Sequence, residues 1–235
     1  PSPALSVLFA FGGLSGRIAY TGIYRRENRR QFFLLRAIAS GIETLRYYGF
    51  GNETEETVDA SFFRIEQTQV AVEGRAAFSA GKSATFTTGA IFRWTRTDED
   101  EDDFIAADRP YGIDDIAQAG VVVGFNFNNH TRPNQRELKG SDDALRFGPS
   151  PLGEGYTLDV NAHYYPKLGG LRDDYGFVDT EATASYLLGS HGPAFALRVG
   201  GTTTWGDVPY YDAAFLGSEQ LRGLRPNRFA GRQSI

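Results

Sequence analysis

The sequence contains no cysteine and no methionine, and only three histidines and two tryptophans among its 235 residues. Without cysteine there are no disulfides, no thiol catalysis and no zinc–thiolate site. The histidines, His130, His163 and His191, are scattered, and none stands at metal-ligand spacing with another. There is no G-x-S-x-G elbow, no P-loop and no dinucleotide fingerprint. No cofactor and no enzymatic chemistry are therefore expected. No stretch approaches the roughly 20 consecutive apolar residues of a membrane helix. The longest apolar runs, such as Phe32, Phe33, Leu34 and Leu35, are soon broken by charge. A helical membrane protein is excluded, but a membrane β-barrel is not, because its strands need only about 9–11 residues with one apolar face. A net charge of −5 speaks against a nucleic-acid partner. With no methionine, and with Pro1 opening the chain without a signal peptide, the expectation is a mature or trimmed piece of a longer protein.

What is abundant is aromatic residues, glycine and period-two alternation. In 155–166, Tyr156, Leu158, Val160, Ala162 and Tyr164 alternate with Thr157, Asp159, Asn161, His163 and Tyr165. A strand places such sets on opposite sides. In 194–205, Phe195, Leu197, Val199, Gly201, Thr203 and Trp205 alternate with Ala196, Arg198 and small polar residues. The same pattern recurs in 84–95, with Phe86, Ala90, Phe92 and Trp94 against Thr85, Thr87, Arg93 and Thr95, and again in 118–128 and 177–188. Less regular strands are expected over 4–11, 16–27, 31–40 and 58–79, the last bent near Gly74. That makes about nine antiparallel strands and an all-β chain. Helical periodicity is absent outside short pieces such as 112–118.

Alternation alone does not separate a soluble sandwich, apolar face inward, from a membrane barrel, where the pattern is inverted. Strand length favours the barrel, since several runs reach about 12 residues against a usual mode of about 5–6. Connections near 28–30, 80–82 and 189–193 are short, and those at 41–57, 98–117 and 166–174 are long, as periplasmic turns and external loops would be. The connections at 12–15 and 129–152 break that rule. Trp94, Trp205, Tyr164 and Tyr165 fall at strand ends on the external side and form the expected aromatic girdle. The run of six carboxylates from Asp98 to Asp103 reads as a solvated external loop, because like charges repel.

Four segments carry a family resemblance. The first is Leu221-Arg222-Gly223-Leu224, preceded by Phe215-Leu216-Gly217-Ser218 and followed by Asn227-Arg228-Phe229-Ala230-Gly231. It resembles the Arg-Gly loop signature of the Omp85 (bacterial surface antigen, BamA-like) superfamily. Leu224 stands where that family usually has an aromatic, and Ser218 replaces the second glycine of a pair. The strand Gly155–Pro166 is similar to the family's strand after a Pro/Gly turn. The stretch 129–134, which keeps Arg132, is a degraded version of another family segment. Tyr47-Tyr48-Gly49-Phe50-Gly51-Asn52-Glu53-Thr54 resembles a segment of BamA-like domains attached to metallophosphoesterases.

This resemblance implies an antiparallel transmembrane β-barrel of the 16-stranded Omp85 type. Residues 1–235 would be an incomplete portion, with strands over roughly 4–205, an Arg-Gly loop over 206–232, and the rest of the barrel beyond 235. It implies a place in the bacterial outer membrane, among lipid and lipopolysaccharide. The implied role is insertion of outer-membrane proteins or polypeptide translocation, with client polypeptides and accessory upstream domains as partners. The alternative is a passive porin-like channel, or an anchor or export pore for an upstream enzymatic domain. By resemblance, Arg222 would meet a carboxylate in the lumen, held by a loop that includes Gly217, Leu221, Gly223, Leu224, Asn227, Arg228, Phe229 and Gly231.

Overall fold

The computed structural model describes residues 2–9, 16–25, 31–51, 63–98, 103–129, 154–187, 194–216 and 227–235. The alternating runs form nine long strands: β1 (Ser2–Phe9), β2 (Gly16–Arg25), β3 (Gln31–Arg46), β4 (Arg64–Ala80), β5 (Ala84–Asp98), β6 (Ile116–Asn128), β7 (Gly155–Tyr165), β8 (Tyr175–Leu187) and β9 (Ala194–Gly206). Each pairs antiparallel with the next. A short strand, β12 (Gln233–Ser234), pairs with β9, giving a ten-stranded sheet with β1 and β12 at its edges. The chain is thus all-β and antiparallel, with one short helix, α1 (Phe104–Asp108), among the described residues.

Three expectations change. No bulge marks the bend expected at Gly74, which pairs with Leu35 and Ala90 in unbroken register. The irregularity lies on β3, between Ser40 and Glu43, and β3 runs on past it to Arg46. The residues near 112–118 are not helical: Ile116, Ala117 and Gln118 open β6, and the helix lies earlier, in 104–108. The stretch after β9 is not all loop. It holds a 3-10 turn over Tyr210–Asp212 and a small sheet of β10 (Ala214–Leu216) and β11 (Phe229–Gly231).

The two faces of the sheet differ in the way that decides how it is solvated. One face carries Val70, Val72, Phe78, Phe86, Phe92, Val123, Leu197 and Val199, all exposed, and Leu197 is 65% exposed. The other carries Gln67, Glu73, Thr95, Thr97, Gln118, Thr183 and Thr204, all buried, and Gln118 is 1% exposed. A water-soluble sheet buries its apolar face. Here the apolar face is the open one.

The polar face is concave. The Arg75 guanidinium on β4 donates to Asn161 Oδ1 on β7 at 3.2 Å, across two intervening strands. In a flat sheet β4 and β7 would stand about 14 Å apart, beyond the reach of those two side chains. Glycines on the inner face make room for such crossings. A Cβ on Gly120 would meet the Tyr165 ring at 2.6 Å, and one on Gly124 would meet Asn161 Oδ1 at 2.7 Å. Gly120→Val is therefore expected to dislodge Tyr165 and to cost about 1–3 kcal/mol, the usual range for overpacking. Thr88→Val, on the open face of β5, should cost much less. Urea unfolding of the two variants checks this, and equal midpoints would count against the Tyr165 seat.

Apolar packing gathers at one end of the concave face. One cluster joins Tyr47, Ile65, Ile105, Ile113 and Tyr210, and a second joins Ile116, Tyr165, Leu171 and Tyr175. The connections that leave the C-terminal ends of β3, β5, β7 and β9 supply several of these residues. The described residues of these connections fold inward as a cap.

Candidate functional site

The cap is anchored by the segment that follows β9. From Asp207 it turns over the concave face, and the Tyr210 N–H donates to Tyr111 O at 2.8 Å. The Tyr210 hydroxyl sits 3.0 Å from Thr97 Oγ1 and also accepts from Gln67 Nε2. Its ring packs edge-on against Tyr47 at 5.3 Å. Tyr47 in turn donates to Asp108 Oδ2 at 2.6 Å, tying α1 to the end of β3.

Asp212 reaches deepest. Its carboxylate accepts from the Arg93 guanidinium on β5 and from the Tyr175 hydroxyl on β8, the latter at 2.6 Å. The Arg93 and Asp212 side chains are only 15% and 7% exposed. The Arg93 guanidinium also lies 4.9 Å from the Tyr211 ring centroid and 5.9 Å from that of Tyr165. With its amide oxygen turned toward the guanidinium, Gln118 accepts from Arg93 Nε at 2.7 Å. The opposite amide orientation would set N–H against N–H, so this one is preferred. Burying an ion pair costs desolvation, which is recovered only when the remaining donors and acceptors are filled. Tyr175, Gln118 and two aromatic faces fill them here.

The surrounding tyrosines stay neutral. Burial pushes the Tyr210 phenol up to about 12, against the opposing hydrogen bonds from Thr97 and Gln67. Burial likewise raises Tyr211 and Tyr47 well above the usual phenol range, and the Asp108 carboxylate adds to the shift at Tyr47. The ion pair at the centre of the cluster is Arg93 with Asp212.

The expected loop residues divide. Gly217, Leu221, Arg222, Gly223 and Leu224 lie outside the described residues, as do His130, Arg132, His191 and most of the acidic run. Asn227 takes a left-handed conformation, φ 56°, which asparagine tolerates better than most residues. Arg228 is buried, its guanidinium 5.3 Å from the Tyr48 ring and 5.1 Å from the Phe229 ring. Phe229 and Gly231 pair with Leu216 and Ala214. The Gly51 N–H donates to Ala230 O at 2.8 Å. Two segments singled out separately in the sequence, 47–51 and 227–231, are thus in contact.

Of the expected girdle, Trp94, Tyr164 and Trp205 lie near the C-terminal ends of β5, β7 and β9 on the apolar face. Tyr165 does not join them. It is 1% exposed against 40% for Tyr164, because adjacent strand residues point to opposite faces. Its ring stacks on Tyr175 at 4.8 Å inside the sheet. His163 is stacked on Phe177 at 4.4 Å on the same inner face.

The residues that hold the cap, Arg93, Gln118, Tyr175, Tyr210, Tyr211 and Asp212, were not singled out from sequence. Two signals were present: a lone arginine on the threonine face of β5, and two adjacent tyrosines in a segment otherwise read as loop. Among the described residues no group of three or more His, Asp or Glu could hold a metal ion. No family model matches the chain, and no curated protein matches it either. Chemically, the arrangement positions and holds a segment.

Proposed function

We propose that this chain is the membrane-embedded part of an outer-membrane β-barrel of the Omp85 superfamily, serving insertion of outer-membrane proteins or passage of polypeptides. The observation that carries the reading is the inverted polarity of the sheet, with its apolar face open and its charged and hydroxylated face enclosed. On β5 the uncharged outward stretch from Ala84 to Trp94 is about ten residue steps, roughly 34 Å along the strand. Tilted by about 40°, it covers about 26 Å of membrane, close to the apolar band of such barrels. The superfamily assignment and the polypeptide role rest on the Arg-Gly loop resemblance. The inward-folded segment after β9 supports it, because a lumen so occupied suits a polypeptide-handling barrel better than an open pore. A second reading, a passive channel or an export pore for an upstream enzymatic domain, draws on the polar inner wall. The full chain in proteoliposomes tests both. Faster insertion of an unfolded outer-membrane protein, with little steady conductance, is the expected result. Large conductance without faster insertion would favour the channel, and a chain that stays in solution without detergent would overturn both.

A further inference from the structure

Just above Trp94 the apolar face changes character. Val70 lies opposite Trp94, Thr68 opposite Arg96, Glu66 opposite Asp98, and Arg46 opposite Arg64. Below Trp94 the described outward positions of β3 to β9 carry no charge. Above it, Arg46, Arg64 and Arg96 stand on three neighbouring strands.

Two pairs of like charge face each other here, Arg46 opposite Arg64 and Glu66 opposite Asp98. Like charges directly opposite one another on antiparallel strands destabilise the pairing. Arg64 donates to Glu66 at 2.9 Å, and Arg96 lies 3.9 Å from both Asp98 and Asp115. Arg46 has no ion-pair partner among the described residues. An oxyanion between Arg46 and Arg64 would remove the repulsion and take up Arg46 donors that are unpaired among the described residues. Guanidinium binds phosphate through two parallel N–H donors.

The geometry points to a lipid of net negative phosphate charge as the ligand of this rim, an inference that rests on the membrane reading above. A free phosphate would satisfy the arginines only. Beneath them Val70, Val72 and Phe92 are exposed on the same face, and Trp94 marks the boundary where amphipathic rings favour the membrane–water interface. A headgroup phosphate at Arg46 and Arg64, with acyl chains along those apolar side chains, fits both halves.

The test uses the full chain in nanodiscs of phosphatidylcholine alone, of phosphatidylcholine with one tenth lipid A, and of phosphatidylcholine with matched inorganic phosphate. Thermal unfolding and native mass spectrometry of retained lipid are read in each. Lipid A is expected to raise the unfolding midpoint and to be retained, while inorganic phosphate does neither. Arg46→Gln/Arg64→Gln should keep the midpoint seen in phosphatidylcholine alone and lose about tenfold in lipid A retention. If that double variant fails to fold, Arg46→Gln alone provides the comparison. Equal retention by the variant, or the same gain from inorganic phosphate, would overturn the lipid site and leave the membrane reading standing. A chain that enters no nanodisc at all would overturn both.

Discussion

Val123→Arg is expected to block stable insertion of the chain into a bilayer. Val123 sits mid-strand on β6, between Thr88 on β5 and Ala162 on β7, and is 55% exposed on the apolar face. In a water-soluble sheet an arginine at so open a position would change stability by no more than about 0.5 kcal/mol. Facing the middle of a bilayer, it should cost about 2–4 kcal/mol. The two environments therefore give different answers to one substitution. Urea-dependent folding into lipid vesicles reads the difference, with Val123→Ala controlling for lost packing. A midpoint for the arginine variant equal to that of the original chain would remove the main support for lipid on this face.

The second large effect is expected at the buried ion pair. Asp212→Leu leaves the Arg93 guanidinium desolvated and without its counter-charge, and removing one partner of such a pair costs about 3–5 kcal/mol. Arg93→Met alone should also destabilise, by stranding the carboxylate near Tyr175. The double variant should recover much of the loss, because an apolar pair of similar volume carries no desolvation penalty. A double-mutant cycle measures the coupling directly. Protease cleavage within 207–216 reports undocking of the segment separately from unfolding of the sheet. Additive single effects, or an Asp212→Leu segment as protease-resistant as the original, would show that the ion pair does not hold the cap.

Period-two patterning made most of the sheet readable. The alternation in 84–95, 118–128, 155–166, 177–188 and 194–205 marks β5 to β9 to within a few residues, because a strand leaves no other way to sort polar from apolar side chains. Alternation names two faces without saying which one is enclosed. That depended on inner glycines such as Gly120, which let Tyr165 lie across the sheet, and on a cap whose residues come from four connections. Tyr164 and Tyr165 were grouped for being aromatic at a strand end, although the pleat itself separates them. The Arg93–Asp212 pair was not legible, because nothing local in β5 indicates which distant segment will cover it. The link between 47–51 and 227–231 was foreshadowed only in that both stretches stood out in the sequence.

The pairing of Arg93 with Asp212 joins positions 119 residues apart. Each of β6 to β9 is hydrogen-bonded to its neighbour, and Asp212 leaves the end of β9. The carboxylate finds its guanidinium only after those four hairpin steps have placed β8 and β9 in register with β5. Closing so distant a contact any earlier carries a chain-entropy cost that nothing local repays. Docking of the segment therefore follows the pairing of β5 to β9. The concave wall stays open to water while β6 to β9 are being added, and is covered at this end only once β9 is in place.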